Sequence, residues 1–212
     1  LDIDGFLNFC LEPLKNNKMD VLLELREEFI EKKIKPIVLS DALTKVKEEM
    51  ENIRAQLDLF KNCKAPCIIF AEVTGSIQGN DKIPLSKRPQ LNKDDWSNYC
   101  KKINEIGKRL EDEQMPLAYH HHMGTVIQSH EDTERLLQET NDSVKLTIDT
   151  GHMLFAGGNS LKIIKDFKEK IIHVHCKDMR KNVLEKSLKH DLSFRHAFLE
   201  GAFTVPGDGC ID

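Results

Sequence analysis

The chain contains 212 residues, enough for one domain with a sizeable hydrophobic core, and we expect a single domain over residues 1–212. Its 31 basic and 35 acidic residues give a net charge of −4 at pH 7 and form no dominant basic patch, so we expect no nucleic-acid partner. No apolar run approaches the ~20 residues of a membrane-spanning helix, and six dispersed cysteines favour a cytoplasmic protein with reduced thiols and no membrane partner.

Short apolar runs alternate along the chain with segments whose apolar residues recur at helical spacing. This alternation predicts an α/β fold with a parallel sheet. The predicted strands are residues 34–39, 66–73, 116–122, 144–149 and 171–176, and the predicted helices are residues 19–33, 43–60, 94–114, 131–139, 161–167 and 187–199. Ser129 is the expected N-cap of one helix, and Asn159 or Ser160 that of the next.

A long polar loop is predicted over residues 74–93, between the second strand and the helix that follows it. Loops of this length in compact domains are usually lids or binding loops. Lys82, Lys87 and Arg88 lie within it, and solvated charge is the alternative interpretation of these side chains.

Asp149 and His175 follow successive predicted strands. Because the carboxyl ends of parallel strands meet at one edge of the sheet, these two side chains are expected to lie close together. A carboxylate and an imidazole suit Mn, Co, Fe or Zn better than Ca or Mg. A buried hydrogen bond between the two that only orients loops fits the spacing equally well.

Three consecutive histidines, residues 120–122, end another predicted strand. Side chains alternate along a strand, so we expect one or two of the three to face the site and the others to face a helix or solvent. His152 follows Asp149 by three residues, where a tight turn would make it a general acid or base. His173 lies two residues before His175, on the same face of its strand.

Two further ionisable residues lie at predicted strand ends. Glu72 ends a buried strand, where a carboxylate needs a partner, a metal or a proton. Lys177 follows His175 and could move a proton or polarise a carbonyl; a surface ion pair with Asp178 is the alternative. A metal beside such bases fits proton removal next to a carbonyl group. Metal-assisted hydrolysis of phosphoesters needs the same residue types.

Several long motifs resemble one enzyme family. They are Leu-Ala-Tyr-His-His-His-Met-Gly-Thr-Val at 117–126, Asp-Thr-Gly-His at 149–152, His-Val-His-Cys-Lys-Asp at 173–178 and Thr-Val-Pro-Gly-Asp-Gly-Cys-Ile-Asp at 204–212. Residues 71–79 and 84–89 match the same pattern. Over residues 66–212 the chain resembles the myo-inosose-2 dehydratases, which belong to the xylose-isomerase-like TIM-barrel group.

The resemblance implies a (β/α)8 TIM barrel and the dehydration of scyllo-inosose, a cyclic keto-polyol, to a trihydroxycyclohexane-1,2-dione. It also implies a divalent metal, Mn or Co, held in the wider group by two glutamates, an aspartate and a histidine. Asp149 and His175 match the last two. No glutamate occurs in residues 116–122, so Glu72, His121 or His122 is the expected replacement. The second glutamate would follow Asp212.

The resemblance therefore leads us to expect a barrel segment incomplete at both ends, poorly stable and inactive alone, whose open sheet edges favour a homo-oligomer. Three residues are the acid–base candidates of the dehydratase: His152, Lys177 and His121. Four are expected to contact substrate: Glu72, Arg88, His122 and His173. The alternatives are an isomerase or epimerase of the same group, a sugar-binding barrel without metal, and a metal-dependent endonuclease, which the acidic net charge disfavours.

Overall fold

The computed structural model describes residues 38–39 and 54–212. The predicted helix at 19–33, most of that at 43–60 and the start of the first predicted strand lie outside the described residues. All described residues belong to one compact unit, Ile37–Asp212, so a single domain over the whole chain stays a prediction. Within the described part of the chain, no helix is long and apolar enough to cross a membrane.

Five strands form one parallel sheet in which they follow the order of the chain. They are β1 (Val38–Leu39), β2 (Ile68–Glu72), β3 (Leu117–His120), β4 (Val144–Asp149) and β5 (Ile171–His175). A separate antiparallel pair consists of β6 (Asp178–Met179) and β7 (Phe203–Thr204). The prediction of an α/β fold with parallel strands is confirmed, whereas the short β6–β7 pair was not predicted.

Seven α-helices lie among the described residues. They are α1 (Arg54–Asn62), α2 (Lys93–Asp112), α3 (His130–Glu139), α4 (Thr150–Phe155), α5 (Ser160–Phe167), α6 (Lys181–Lys189) and α7 (Phe194–Leu199). Two 3-10 turns cover Leu85–Lys87 and Lys168–Lys170. The helices α2, α3 and α5 match predicted helices closely.

Polar side chains define where the crossover helices begin. Asn92 accepts hydrogen bonds from two backbone N–H groups at the start of α2. Ser129 and Asp132 form a capping box at the start of α3, and Asn159 caps α5. Each cap satisfies backbone donors that have no partner within the helix. Ser129 and Asn159 are therefore the caps that the sequence predicted, with Asn159 preferred over Ser160.

The main core lies between α2 and the strands β2 and β3. One apolar stripe of α2 packs against the buried side chains of both strands, at the 3.6-residue spacing that predicted it. The core includes Trp96, Tyr99, Ile103, Ile106 and Leu110 of the helix with Ile68, Phe70, Leu117 and Tyr119 of the strands. Gly107 lets the helix approach β4 closely, because a Cβ there would lie 2.7 Å from the carbonyl oxygen of Ser143.

The segment after β5 differs from its prediction. Residues 187–199 were expected to form one helix, but they contribute to α6 and α7, which are separated by residues 190–193. Asp191 takes a positive φ of 46°, which ends the first helix, and Ser193 caps the second through the N–H of His196. The single-helix prediction was wrong because the apolar spacing continues across this turn.

Strand β5 forms one edge of the described sheet, and no strand of the described residues pairs with its outer side. Ile172 and Val174 on this strand are 38% and 50% exposed. The described strands thus form an open array of five rather than a closed barrel. Self-association through the open edge stays a prediction.

Candidate metal and acid–base site

Asp149, the last residue of β4, is completely buried at the carboxyl edge of the sheet. Its two carboxylate oxygens have separate contacts. Oδ1 accepts a hydrogen bond of 2.9 Å from the backbone N–H of His152, and so caps helix α4. Oδ2 points to a cluster of basic side chains. The same residue therefore starts a helix and presents one oxygen to the site.

Three side chains from two other strand ends contact Asp149 Oδ2. Lys177 Nζ lies 2.5 Å from this oxygen, His120 Nε2 lies 3.2 Å away and His175 Nδ1 lies 3.3 Å away. Asp149 and His175 are register partners in the parallel pair β4–β5, which explains their proximity. The sequence predicted that Asp149 and His175 lie together, named Lys177 only as an acid–base candidate, and left open which of the three histidines at 120–122 faces the site.

A second group of rings surrounds His152 in helix α4. The ring of His122 lies 3.8 Å from that of His152 between centroids, and the rings of Phe203 and Phe194 lie at 5.0 and 5.7 Å. His122 Nδ1 contacts the carbonyl oxygen of Met123 at 2.8 Å. His152 is 2% exposed and lies in a six-residue helix instead of the expected tight turn.

His121 contacts the backbone of Asp149 rather than its carboxylate. Its Nε2 accepts a hydrogen bond of 3.1 Å from the Asp149 N–H, so its Nδ1 carries the proton. That Nδ1 is buried and has no hydrogen-bond partner among the described residues. Strand β3 ends at His120, so strand alternation does not govern residues 121 and 122. Which of the three histidines would face a substrate therefore stays a prediction.

Burial sets the protonation of the cluster. It lowers the pKa of His121 to about 4 and that of His122 to about 3. The pKa values of His120 and His152 also lie well below the usual range, chiefly because of burial. For Asp149, burial raises the pKa, but its basic neighbours outweigh this effect and hold it well below the ordinary value. The site thus combines an ionised carboxylate with neutral imidazoles.

These donors fit a divalent transition metal. Candidate ligand atoms of His120, Asp149 and His152 all lie within 4.8 Å of one another. The distances of His120 Nε2 and His175 Nδ1 from Asp149 Oδ2 also match the roughly 3.0–3.4 Å that separates two ligands with metal bonds of about 2.1 Å. Neutral imidazoles and a carboxylate suit Zn, Mn, Co or Fe. Of the predicted ligands, Asp149 belongs to this group and His175 does not, so the metal-binding role of His175 stays a prediction.

Arg88 does not lie in this cluster. Its guanidinium contacts the carbonyl oxygens of Thr125 and Val126 at 3.3 and 3.2 Å, and pairs with Asp132 at 2.8 Å. These contacts join the polar loop 74–91 to the segment that follows the histidine triplet. Arg88 thus positions the loop after β3, and its role as a substrate contact stays a prediction.

The same polar loop has two further anchors. Ile77 N–H donates to the carbonyl oxygen of Gly124, whose positive φ of 80° and close contact with Gln78 leave no room for a side chain. Ser86 donates from both its N–H and its hydroxyl group to the carboxylate of Asp191, between α6 and α7. The loop is therefore packed across the carboxyl edge of the sheet, as expected of a covering loop.

Two other predicted site residues lie beside the cluster. Glu72 ends β2, is 3% exposed and accepts a hydrogen bond from the Thr74 N–H at 2.7 Å. His173 is half-buried on β5, with its ring 5.2 Å from that of His175. Among the described residues, neither is in the group whose donor atoms could hold a metal together. Their substrate-binding roles stay predictions.

Asp178 organises the segment that carries the Pro-Gly-Asp-Gly motif. Its buried carboxylate accepts hydrogen bonds from four backbone N–H groups, those of Met179, Gly207, Gly209 and Ile211, at 2.7–3.1 Å. Burial raises the pKa of Asp178, but these four donors outweigh it and lower the pKa below the ordinary value. The predicted alternative of a surface ion pair between Lys177 and Asp178 is wrong, because Asp178 is buried and bonded to backbone N–H groups, while Lys177 contacts Asp149.

Comparison with protein families agrees with this arrangement of strands and polar residues. The family described as "Xylose isomerase-like TIM barrel" matches residues 34–212. The chain belongs to this family. The TIM-barrel prediction is thereby confirmed, and the five parallel strands are one part of a xylose isomerase-like barrel.

Individual proteins similar to this xylose isomerase-like chain support the family that its sequence motifs indicated. It is 40% identical to the inosose dehydratase of Clostridium beijerinckii over 172 residues, or 80% of this chain and 58% of that one. It is 38% identical to the rhizopine catabolism protein MocC of Rhizobium meliloti over 167 residues, or 79% of this chain and 51% of that one. The predicted resemblance to inosose dehydratases is confirmed, and the chain spans between half and three fifths of these relatives.

Solved structures support the fold of the xylose isomerase-like chain. A structure described as IOLI protein with a binding zinc atom matches with a TM-score of 0.57 and 16% sequence identity. The match covers 83% of this chain and 57% of that chain. At this identity the likeness concerns the fold alone.

Proposed function

We propose that this chain carries the strand-end site of an inosose dehydratase. The reaction removes water from scyllo-inosose and yields a trihydroxycyclohexane-1,2-dione. The observation that supports it best is the convergence of His120, His175 and Lys177 on one oxygen of Asp149. This cluster occurs in a chain 40% identical to the Clostridium beijerinckii enzyme.

The proposal includes a divalent metal held by Asp149 with His120 and His175, which leaves the ring of His152 for the proton transfer. Mixed nitrogen and oxygen donors support Zn, Mn or Co. A solved structural relative carries zinc, while the resemblance favours Mn or Co. When bound, such a metal polarises the ketone oxygen and stabilises the negative charge that develops there.

The residues of the chain would move the two protons of the dehydration. The C–H bond next to the ketone breaks, and its proton passes to a neutral imidazole; His152 is our candidate because burial keeps its ring neutral and able to accept a proton. The electron pair forms the enolate. Lys177 then donates a proton to the neighbouring hydroxyl group, which leaves as water. The enol that results tautomerises to the dione.

The polar loop 74–91 would exclude water from this chemistry. Its anchors on Gly124 and Asp191 keep it across the carboxyl edge of the sheet. His122, with its ring against His152, would position that base. Glu72 and His173 are the candidates for contacts with the hydroxyl groups of the substrate.

The test uses metal-free protein, to which Mn²⁺, Co²⁺ or Zn²⁺ and scyllo-inosose are added while ultraviolet absorbance follows dione formation. Because the chain spans 58% of the Clostridium enzyme, a second preparation joins residues 54–212 to the remaining segments of that relative. Metal-dependent dione formation that disappears in Asp149→Asn and persists in the exposed control Asp166→Asn would support the proposal. Metal binding without dione formation in either preparation would contradict it.

An isomerase or epimerase of the same barrel group is the second candidate, because it shares the first proton transfer. Neutral imidazoles beside an ionised carboxylate support that step as well. Solvent deuterium that enters the carbon next to the ketone without loss of water would favour this candidate. Substrate affinity that does not depend on metal, without turnover, would favour a sugar-binding barrel.

A further inference from the structure

Lys177 occupies the carboxylate oxygen that a metal in this site would need. Its Nζ lies 2.5 Å from Asp149 Oδ2, the same oxygen that His120 and His175 approach. Asp149 is completely buried, and the Lys177 side chain is 19% exposed. A buried carboxylate requires a compensating positive charge, and Lys177 supplies it here.

An ammonium group and a divalent cation would repel each other if both contacted Asp149 Oδ2. The carboxylate carries one negative charge, and the surrounding imidazoles add none because burial keeps them neutral. Adding a divalent cation would leave two neighbouring cations around one anion in a site with little water. Like charges at such short range repel strongly. The ammonium group must therefore leave Asp149 when a metal arrives.

The backbone of Lys177 is held in place, so only its side chain is able to move. Its carbonyl oxygen accepts a hydrogen bond of 2.5 Å from the Thr150 hydroxyl, and its N–H donates to the carbonyl oxygen of His175. Its Cβ also packs against Gly151, where an added Cβ would lie only 2.8 Å away. Four rotatable side-chain bonds allow Nζ to swing about this fixed point.

Phe203 offers the ammonium group a second position. Lys177 Nζ already lies 5.6 Å from the centroid of the Phe203 ring, within the range of a cation–π contact. This ring also lies 5.0 Å from the ring of His152. An ammonium group held over Phe203 would thus remain next to the proposed base while no longer contacting Asp149.

We infer that Lys177 is an exchangeable counterion, which neutralises Asp149 in the metal-free protein and is displaced towards Phe203 when a divalent metal binds. The inference rests on the metal site of the proposed function and deepens it. Metal loading would then do two things at once, because it fills the site and releases the acid that the dehydration needs. An enzyme without metal would keep its acid bound to Asp149.

The first experiment measures metal affinity in the absence of substrate. Zn²⁺ is titrated by calorimetry into the metal-free protein, into Lys177→Met and into Lys181→Met, whose side chain is 72% exposed at the start of α6. Removing the competing charge should tighten Zn²⁺ binding by about tenfold in Lys177→Met and leave Lys181→Met unchanged. Unchanged or weaker binding by a folded Lys177→Met would overturn the inference.

The second experiment uses the unaltered protein and so does not depend on how well the variant folds. An amine-acylating reagent is added with and without saturating Zn²⁺, and mass spectrometry gives the labelling rate of each lysine relative to Lys181. Release from Asp149 should raise the relative rate at Lys177 several-fold. This rise distinguishes displacement from simple repulsion between charges, and a constant or lower rate would overturn the inference.

The outcomes separate this inference from the proposed function. Both readouts need Zn²⁺ alone and no substrate. If the protein releases Lys177 on metal binding but forms no dione, the counterion inference stands and the proposed dehydratase function fails. If the protein forms dione while the labelling rate of Lys177 stays constant, the proposed dehydratase function stands and the counterion inference fails.

Discussion

The imidazole rings of His122 and His152 lie against each other with their centroids 3.8 Å apart, although one follows β3 and the other lies in α4. Two charged imidazolium rings would repel at this distance. Burial avoids the conflict because it lowers the pKa of His122 to about 3 and that of His152 well below the usual range. The pair is therefore a tilted contact between two neutral rings at physiological pH.

Because these two buried rings are neutral, we predict that acid destabilises the protein. In the unfolded chain a histidine binds its proton near pH 6.5, whereas folded His122 binds it only near pH 3. The unfolded state therefore takes up more protons between these values, and the free energy of unfolding falls as the pH falls below about 6.5.

For His122 alone the loss between pH 7 and pH 5 is about 2 kcal/mol. His122→Phe, which keeps a ring against His152, should reduce the loss by about this amount. Guanidinium unfolding at both pH values measures it, with His190→Gln on the exposed surface as the control. Equal acid sensitivity in His122→Phe and the unaltered protein would show that His122 is not neutral in the folded state.

Asp178→Asn should loosen the segment 205–211. The carboxylate accepts four backbone N–H groups, and an amide can accept at only one of its two heavy atoms, so two donors lose their partner. We expect a loss of about 2–4 kcal/mol in the free energy of unfolding and faster hydrogen exchange at Gly207, Gly209 and Ile211.

The control for this variant is Asp208→Asn, since Asp208 is exposed and accepts from Thr204 and Arg180. The effect of Asp178 should also depend on pH. Its pKa is lower in the folded state, so its contribution is complete above the unfolded pKa of about 3.9 and disappears as the pH falls through the folded pKa. If Asp178→Asn and Asp208→Asn showed the same rates of hydrogen exchange, the carboxylate of Asp178 would not be what holds the segment 205–211 in place.

Tyr99 and Tyr119, the two tyrosines of the chain, should resist ionisation until the protein unfolds. Tyr99 donates a hydrogen bond of 2.5 Å to Tyr119, and burial raises the pKa of both phenols well above the ordinary value. An unfolded tyrosine ionises near pH 10, so the free energy of unfolding should fall as the pH rises above about 10.

Ultraviolet absorbance of phenolate, followed during an alkaline titration, tests this expectation. The signal should appear in a single step together with the loss of helical circular dichroism. Phenolate absorbance near pH 10 in a protein that is still folded would contradict the buried pair. Tyr99→Phe, which leaves one phenol in place, should halve the amplitude of the step.

Arg88→Met should reduce order in the segment after β3 without removing a group that contacts the cluster. The variant loses the contacts to Thr125, Val126 and Asp132, and the buried position makes a loss of about 2–3 kcal/mol reasonable. Asp132→Asn, which removes the partner charge, should produce a similar loss, and the double variant should lose less than the sum.

Kinetics would separate this positioning role from direct contact with substrate. A positioning role predicts a lower kcat in both variants, because the histidine triplet shifts, with little change in KM. A raised KM in Arg88→Met alone, with Asp132→Asn unaffected, would restore Arg88 as a substrate contact.

The strands were predictable from sequence because each combines an apolar run with a polar residue at its end. The predicted strand 144–149 has the bounds of β4, and the helix stripe that begins near Asp94 lies on the core side of α2. Helix α4 was missed because Asp149-Thr-Gly-His reads as a turn, and only the cap from Asp149 and tertiary packing make it helical. Two-residue strands such as β6 and β7 leave no periodic signal.

The site was predictable only in part. Strand order brings Asp149 beside His175, and both residues were expected there. The contact of His120 with Asp149 could not be singled out, because the triplet was treated as a continuing strand, although β3 ends at that residue. Arg88 contacts Thr125, which lies 37 residues further along the chain. A contact between such distant residues leaves no signal in local sequence patterns, so the role of Arg88 could not be predicted.

The two oxygens of Asp149 have different contacts, and these contacts link the start of helix α4 to the cation at the site. Oδ1 fixes the first turn of α4, which carries His152, and Oδ2 receives whichever cation is present. A rotation of this carboxylate would therefore change the cap of α4 and the oxygen offered to the cation together. The start of α4 and the cation contact are therefore properties of one side chain, and a substitution of Asp149 would change both.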